Sequence, residues 1–236
     1  MDFLAEIEKD AKGLDFESLS NLKSESQEKI NAWLESRRGK FTASEFHRLM
    51  GYEDKDTFPK GAETYAIDKA IEILTVRDEE SYTNASMDWG NLNEKDAVEK
   101  FMEDIGLEVY NYGENQEFQT LGDNIGCTPD GLISTDGGIE TKCPNSKTHF
   151  SYLKLKNQDQ FKKECKNYYW QIQGSMYVTN RKYWYFISYD PRYKDDNKQL
   201  KVLKISRNDE DIQKLKGRLI QAIKYRDTQL KSITNV

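Results

Sequence analysis

Residues 127–144 read CTPDGLISTDGGIETKCP, and in this stretch two strand-like segments flank the turn sequence STDGG. Side chains two positions apart on a strand share a face, so we expect Glu140 and Lys142 to project together. Ile139, Thr141 and Cys143 should then face the opposite side. The stretch therefore predicts a hairpin that presents an acid and a base on one face.

Asp130 precedes the turn, and we expect it on the segment that neighbours Glu140. Two carboxylates at a sheet edge repel each other unless positive charge lies between them, and oxygen ligands suit Mg²⁺ or Mn²⁺. Such an ion polarises a phosphoryl oxygen and lowers the pKa of bound water, while an ammonium such as Lys142 helps to orient or deprotonate that water. The alternative is a surface ion pair between Glu140 and Lys142, which contributes less than about 1 kcal/mol.

The length and charge of the chain indicate its domain organisation and its possible binding partners. The chain has 236 residues and a net charge of −6, and we expect an N-terminal appendage at residues 1–24 followed by a single domain over residues 25–236. A net negative charge is unusual for a nucleic-acid-binding domain. Residues 142–166, however, contain seven lysines and only two acids. That segment is either a local positive patch or a solvated lysine-rich face.

The amino-acid composition also argues against several other classes of protein. No apolar run approaches the roughly 18 residues that cross a bilayer, and the start MDFLAEIEKDAKG is acidic, unlike a secretory signal. We therefore expect a cytoplasmic protein without membrane contact. The three cysteines, Cys127, Cys143 and Cys165, form no CxxC pair and are too few for a four-cysteine zinc site.

Helical patterns precede the hairpin. Helices are predicted at residues 25–37, in TASEFHRLMG (residues 42–51) and in ETYAIDKAIEIL (residues 63–74), with Thr42 as the cap of the second helix. The predicted core contacts of the second and third helices are Phe46, Leu49, Met50, Tyr65, Ile71 and Leu74.

A further helix is predicted in SMDWGNLNEKDAVEKFMEDIG, residues 86–106. Its apolar stripe consists of Ala97, Val98, Phe101 and Ile105. The same stripe, continued towards the N-terminus, contains Glu94. A carboxylate on a core-facing stripe must be paired, protonated or metal-bound, because an unpaired buried charge is costly. The alternative is that Glu94 lies at the end of the stripe and reaches water.

The rest of the chain alternates between the two kinds of element. Strand-like segments are predicted at residues 109–122, 125–134, 138–143 and 182–190. Helices are predicted at residues 167–179 and 209–232, the latter through Ile212, Leu215, Leu219 and Ile223. This order indicates an α/β fold.

Asp130, Glu140 and Lys142 also match the signature of the PD-(D/E)xK nuclease superfamily, with Pro129 completing the PD pair. Beyond the signature, the chain resembles the lambda-exonuclease-type, YqaJ-like viral recombinase family in four ordered blocks. These blocks are WLESRRGKFTASE, WGNLNEKDA, CTPDGLISTDGGIETKCP and YYWQIQGSMYVTNRKYWYFISYDPR. The resemblance implies a restriction-endonuclease-like core, in which a central mixed β-sheet is flanked by helices.

The resemblance implies a metal centre and a catalytic base or water-positioning group. Asp130, Glu140, the backbone carbonyl of Thr141 and Glu94 would bind Mg²⁺, with Mn²⁺ as a substitute. Lys142 would position or activate the attacking water.

It also implies a DNA-binding set. Arg37 and Ser44 would hold the terminal 5′ phosphate, and Arg38 replaces Arg37 if the alignment shifts by one position. Tyr168 and Gln171 share a helix face and are implied DNA contacts; ordinary helix packing is the alternative for this pair.

The implied activity is a Mg²⁺-dependent 5′-to-3′ exonuclease that degrades one strand of duplex DNA from its ends and leaves a 3′ overhang for single-strand annealing. The family further implies a ring-shaped homotrimer, a single-strand annealing recombinase as partner, and the cytoplasm of a bacterial or phage-infected host cell. Two alternatives stay open. One is another PD-(D/E)xK nuclease, either an endonuclease or a single-strand nuclease, and the other is a catalytically silent DNA-end-binding protein.

Overall fold

The computed structural model describes residues 28–76 and 85–234, without the side chains at positions 85–88, 91 and 234. The expected appendage at residues 1–24 lies outside these ranges. The α-helices are α1 (residues 28–37), α2 (Lys60–Leu74), α3 (Ala85–Ile105), α4 (Ser146–Leu153), α5 (Gln158–Glu164), α6 (Lys166–Thr179) and α7 (Asp209–Thr234). Short 3-10 helices cover Ala43–Met50, Gly113–Asn115 and Asp196–Lys198. The strands are β1 (Phe41–Thr42), β2 (Gln119–Leu121), β3 (Ile125–Cys127), β4 (Gly131–Ile133), β5 (Gly137–Lys142), β6 (Tyr183–Tyr189) and β7 (Leu200–Ser206).

The strands form two mixed sheets. In the smaller sheet, β3 lies between β1, to which it is parallel, and β2, to which it is antiparallel. In the larger sheet the order is β4-β5-β6-β7, and only the central pair β5 and β6 is parallel. The parallel pair is connected through α4, α5 and α6, as a crossover between parallel strands requires. This arrangement confirms the predicted α/β fold with helices around mixed strand pairing, but the strands divide between two sheets where one central sheet was predicted.

Helices cover both faces of the larger sheet. Ile139 of β5 and Ile187 of β6 pack with Val98 and Phe101 of α3 in one cluster. The opposite face of the sheet packs, through residues such as Phe186, into the main core that includes helix α6. Because β5 lies inside the sheet and between two helical layers, its residues are buried, except for the half-buried Lys142 at its end.

Two close approaches require glycine, one between neighbouring strands and one between two helices. A Cβ on Gly138 of β5 would lie 2.4 Å from Cη2 of Trp184, and a Cβ on Gly174 of α6 would lie 2.2 Å from Cδ2 of Phe46. Real Cβ atoms do not approach other atoms so closely, so only glycine fits at either position. The 3-10 helix that carries Phe46 is thereby held directly against α6.

The predicted helices are present, but parts of their packing differ. Phe46, Leu49, Met50 and Tyr65 are buried as predicted. The segment after Thr42 is a 3-10 helix, and the Thr42 side chain makes no capping hydrogen bond. The predicted core positions Ile71, Leu74 and Ile105 are wrong, because they are 51%, 47% and 43% exposed. Helix α2 instead buries the small-residue face that contains Ala62, Ala66 and Ala70.

The strand predictions were too long before the hairpin. Of residues 109–122 only Gln119–Leu121 form a strand, while Tyr110 makes an isolated bridge to Leu132. Residues 125–134 divide into β3 and β4, which belong to different sheets. The sequence patterns also did not reveal α4, α5 or β7. Among the described helices, none combines the length and apolar character that a membrane span needs.

Candidate active site

Strand β5 brings Glu140 and Lys142 together, as the alternation of side chains predicted. Nζ of Lys142 lies 2.5 Å from Oε1 of Glu140. The Glu140 side chain is 1% exposed and that of Lys142 is 27% exposed. Ile139 points into the opposite core and is fully buried. The pair is therefore a buried ion pair and not the surface pair considered as an alternative.

Asp130 joins this pair from the residue before β4. Strands β4 and β5 are antiparallel with Gly131 opposite Ile139, so the register places Asp130 next to Glu140. Oδ2 of Asp130 accepts a hydrogen bond from the backbone N–H of Thr141 at 2.6 Å. A carboxylate fixed by a backbone donor keeps its position, and here that position is beside the second acid.

Glu94 approaches from α3. It stands one turn before the buried residues Ala97 and Val98, in keeping with the predicted stripe. Nε2 of Gln116 donates to Oε1 of Glu94 at 2.5 Å and lies 3.5 Å from the carbonyl oxygen of Asp130. Gln116 thus links α3 to the PD segment, and Glu94 lies within the site instead of reaching open solvent.

All three acids have a raised pKa, with burial as the largest cause. Burial, followed by the charge of Asp130, raises the pKa of Glu94 to about 7 and that of Glu140 to about 8. Burial also raises the pKa of Asp130, against the opposing effects of Lys142 and the Thr141 N–H. Desolvation disfavours each carboxylate, and neighbouring negative charges add to that cost. The site therefore favours either protons or an additional positive charge.

Lys142 supplies one positive charge. Burial by itself lowers the pKa of this lysine, but the charges of Glu140 and Asp130 outweigh burial and raise it. Its Nζ lies 5.3 Å from the ring centre of Tyr168, and Nε2 of Gln171 donates to Oε1 of Glu140 at 2.6 Å. Lys142 is consequently held as a cation between an acid and an aromatic face.

The donor set suits a hard divalent cation. Oε2 of Glu140 is buried and has no hydrogen-bond partner, which is costly for a carboxylate oxygen unless a ligand supplies positive charge. Across residues 28–76 and 85–234, however, no three acidic, histidine or cysteine side chains converge as ready-made metal ligands. Lys142 and Gln171 engage Oε1 of Glu140, Gln116 engages Oε1 of Glu94, and the Thr141 N–H engages Oδ2 of Asp130. Oxygen donors with excess negative charge fit Mg²⁺ or Mn²⁺.

A cavity of about 210 Å³ opens beside these acids. Its lining includes Arg37 and Ser44 together with Glu94, Asp130 and Gln171. The fold thus brings five of the predicted site residues, from separate segments of the chain, to one concave surface. Tyr168 does not line the cavity; it stacks on Phe186, with ring centres 5.8 Å apart, and contributes to the site through Lys142.

Arg37 is held rigidly in this cavity. Its Nη1 donates to Oγ1 of Thr128 at 2.8 Å, and its guanidinium carbon lies 4.3 Å from the Trp33 ring centre and 5.3 Å from that of Phe118. Burial lowers the pKa of Arg37, so an anion in the cavity would restore the solvation that the guanidinium has lost.

Arg38, the alternative to Arg37, lies elsewhere. Its guanidinium donates to the carbonyl oxygens of Glu72 and Thr75 at the C-terminal end of α2. Nε of Arg38 also lies 3.8 Å from Oε1 of Glu35. Arg38 therefore secures the end of a helix, and Arg37 is the arginine that lines the cavity.

Three further residues of the site were not predicted. Trp33 stands four residues before Arg37 on α1, and that helical spacing was available as a signal. Thr128 directly precedes the PD pair, but nothing in its type marks it as a partner of arginine. Gln116 lies just after a short 3-10 helix in an irregular segment, where no periodicity predicts which way a side chain points.

An acid–acid–lysine set on paired strands of an α/β fold defines the PD-(D/E)xK class of nuclease. Within that class, residues 32–182 match the YqaJ-like viral recombinase domain, and the chain belongs to that family. The family and its structural relatives support a nuclease that acts on DNA. No curated protein gives a significant match to the sequence.

Solved structures of exonucleases share the fold. An alkaline exonuclease from Laribacter hongkongensis, LHK-Exo, is 26% identical with a TM-score of 0.71, and the match covers 87% of this chain and 96% of that one. The complex of LHK-Exo with dAMP gives 25% identity and a TM-score of 0.72 over the same shares of the two chains. A phage-related exonuclease from Haemophilus somnus 129PT, at 19% identity, has the same fold with a TM-score of 0.65, over 82% of this chain and 96% of that one.

Proposed function

We propose that this nuclease is a Mg²⁺-dependent exonuclease that degrades the 5′-ended strand of duplex DNA and leaves a 3′ single-stranded overhang. The observation that carries the proposal is the shared cavity, in which Arg37 and Ser44 lie beside Glu94 and Asp130. A phosphate-binding arginine next to the acids suits a substrate whose terminal phosphate is bound close to the bond that is cleaved. An endonuclease has no terminal phosphate to bind.

Asp130, Glu140, Glu94 and the backbone carbonyl of Thr141 would hold the divalent ion. When bound, Mg²⁺ (or Mn²⁺ in its place) would polarise a phosphoryl oxygen and make water a stronger nucleophile. The raised pKa values of Glu94 and Glu140 mean that these acids release protons when a cation is bound. Metal affinity should consequently increase with pH.

Lys142 acts as a cation in this scheme. Because its pKa is raised, it keeps its proton and donates hydrogen bonds, which orient water and offset the charge of the reacting phosphate. The water oxygen attacks phosphorus, the bond from phosphorus to the 3′ oxygen breaks, and the departing oxygen takes up a proton. The product is a 5′ mononucleotide, which is the type of molecule found in the LHK-Exo complex with dAMP.

Arg37 and Ser44 would bind the terminal phosphate. The guanidinium is oriented by Thr128 and by the rings of Trp33 and Phe118, so little side-chain entropy is lost when the phosphate binds. The Ser44 hydroxyl lies 3.4 Å from that of Thr42 and can donate to a phosphate oxygen. Tyr168 and Gln171 keep Lys142 and Glu140 in position behind the reacting group.

The proposal also includes the oligomeric state of the enzyme and a protein partner. A ring-shaped homotrimer would surround the DNA, and its outer surface would account for a net charge of −6 in a DNA-binding enzyme. A single-strand annealing recombinase would take up the overhang, in the cytoplasm of a bacterial or phage-infected cell. Light scattering coupled to size exclusion should give three times the chain mass of 27.6 kDa; a monomer in the presence of DNA would rule out the ring.

The deciding experiment is digestion of linear duplex DNA that carries separate labels at each 5′ and 3′ end, with Mg²⁺ or with EDTA. Release of the 5′ label as mononucleotides, abolished by EDTA and absent with closed circular DNA, would support the exonuclease. Cleavage of the circle would indicate an endonuclease instead. Binding to ends without any cleavage would indicate a silent end-binding protein.

A further inference from the structure

Helix α4 presents a basic and aromatic surface directly after strand β5. Lys147, Phe150 and Lys154 are all exposed. Lys154 directly follows Leu153 as the C-cap and keeps a helical backbone, so the spacing of three and four residues places all three on one side. The other side carries His149, which is fully buried. We refer to Lys147, Phe150 and Lys154 together as the α4 face.

The charge on the α4 face is not neutralised within the chain. Residues 141–158 contain no aspartate or glutamate. In the parts of the chain that the structure describes, neither Lys147 nor Lys154 forms a salt bridge, whereas Lys162 pairs with Asp211 and Lys166 with Glu53. Lys162 and Lys166 are thus used within the fold, while the two lysines of the α4 face remain available to an external anion.

Phe150 is exceptional among the phenylalanines that the structure describes. It is 53% exposed, and the others are buried or half-buried. Nζ of Lys154 lies 4.3 Å from its ring centre, so the ring carries a cation on one side and offers the rest of its surface to solvent. A flat aromatic ring between two lysines matches a nucleotide, since a base can stack on the ring while phosphates pair with the ammonium groups.

The buried side of α4 connects this surface to the active site. Tyr152 of α4 meets Tyr168 edge-to-face, with ring centres 6.4 Å apart, and Tyr168 lies 5.3 Å from Nζ of Lys142. Two aromatic side chains thus link helix α4 to Lys142, and the α4 face lies on the other side of that helix.

We propose that the α4 face binds an unpaired stretch of the DNA substrate next to the reacting phosphate. Lys147 and Lys154 would contact its phosphates and Phe150 would stack on one of its bases. An unpaired strand is required because the faces of bases in a duplex already stack on one another, and stacking on a protein ring needs a free face. This inference rests on the proposed nuclease function and adds a second DNA-binding surface to it.

The test is fluorescence anisotropy with the full chain and a dye-labelled oligothymidylate single strand, in EDTA to prevent hydrolysis. Phe150→Ala should weaken binding about 5- to 150-fold, the range expected for one stacked base. The double variant Lys147→Gln with Lys154→Gln should reduce the slope of log affinity against log salt by about 1.4, or about 0.7 for each phosphate that the lysines no longer neutralise.

Matched controls are available on α7. Ile220 is 58% exposed, so Ile220→Ala removes a similar exposed apolar side chain. Lys216→Gln with Lys224→Gln removes the same charge from another part of the surface. Both control proteins should bind the oligonucleotide like the unmodified chain, and circular dichroism melting should show that all variants fold.

Several outcomes would overturn the inference. The first is an unchanged affinity for the Phe150 variant together with an unchanged salt slope. The second is an equal loss of affinity for blunt duplex and for single strand, which would exclude stacking on an unpaired base. The third is a shift in sedimentation without any loss of oligonucleotide binding, which would make the α4 face a contact between copies of this chain. If the unmodified chain digests linear duplex DNA normally, any of these outcomes would contradict this inference alone. If the unmodified chain is inactive on every DNA, the proposed function itself would be refuted.

Discussion

Glu140 and Asp211 are both buried carboxylates paired with lysine, but their surroundings differ. Asp211 accepts hydrogen bonds from Lys162 at 3.0 and 2.9 Å and from the Tyr169 hydroxyl at 2.6 Å, so both of its oxygens are engaged. Lys142 and Gln171 both contact Oε1 of Glu140 and leave Oε2 buried without a partner. Of these two carboxylates, only Glu140 has unused capacity for a ligand.

The difference shows how a fold separates a structural ion pair from a functional one. A saturated pair such as Lys162–Asp211 connects α5 to α7 and gains nothing from a further cation. The acids around Glu140 repel one another and are desolvated, which lowers the stability of the folded chain until a proton or metal ion binds. Changing residues at each site should therefore affect different properties.

The largest expected effect is on hydrolysis. Asp130→Ala should reduce mononucleotide release to background, and Lys142→Ala should slow the reaction about 10²–10⁴-fold while metal binding persists. Single-turnover digestion and calorimetric Mg²⁺ titration measure the two properties separately. Lys162→Ala, from the structural pair, should retain the rate per folded molecule; a comparable reduction in that variant would erase the distinction between the sites.

A smaller effect is expected at the phosphate-binding end of the cavity. Arg37→Ala should remove the preference for phosphorylated over hydroxyl 5′ ends, which we place at about 10- to 150-fold from the strength of charge-assisted hydrogen bonds. The ratio of digestion rates on the two substrates measures it. Arg38→Ala is the matched control and should preserve the ratio. If Arg38→Ala abolishes the preference and Arg37→Ala does not, the assignment is reversed.

Changes at the structural pair Lys162–Asp211 should lower the stability of the folded chain instead of the rate of hydrolysis. Asp211→Ala leaves the Tyr169 hydroxyl and the partly exposed Lys162 without their acceptor, which should cost about 2 kcal/mol. For a chain of this length that corresponds to a melting temperature lower by about 4–8 °C. Calorimetry in EDTA at pH 7 tests this value, and a melting temperature equal to that of the unmodified chain would mean that the pair contributes nothing.

The smallest expected effect concerns Glu140 and pH. An acid whose pKa rises from about 4.5 in the unfolded chain to about 8 in the folded one binds more protons when folded, so its contribution to stability is lost as pH rises through that window. Glu140→Gln should therefore raise the melting temperature by about 2–4 °C at pH 8, corresponding to about 1 kcal/mol, and have little effect at pH 4.5.

Thermal melts in EDTA from pH 4.5 to 9 compare the two proteins directly. Mg²⁺ should reverse their order above pH 8, because it stabilises the chain that retains Glu140. A difference between the two proteins that does not vary with pH would contradict the raised pKa of Glu140.

Local patterns were sufficient for part of this result. The alternation of side chains on a strand placed Glu140 and Lys142 together, and helical spacing placed Glu94 on a buried stripe. Both are consequences of backbone geometry over a few residues. The same spacing failed at Ile71 and Ile105, because it identifies an apolar stripe without showing whether another element covers it. On α2 the alanine face is the one that is covered.

Long-range features were inaccessible to such patterns. Gln116 contacts Glu94 across 22 positions, and Arg37 contacts Thr128 across 91. The division of residues 125–134 between two sheets likewise depends on partners far away in the chain, namely β1 and β5. Contacts of this kind arise from the packing of whole elements, which no window of ten or fifteen residues contains.

The sequence by itself determined the α/β class, the acid–acid–lysine set and the residues that resemble the family, because these depend on residue type and short-range periodicity. Only the tertiary structure decided that Arg37 and not Arg38 lines the cavity, that Glu140 retains an unpartnered oxygen, and that the lysines of the α4 face form no salt bridge within the described residues. The physical reason is that burial and electrostatic environment are properties of the packed layers around a side chain. They decide whether the same residue types form a structural pair or a site with room for a ligand.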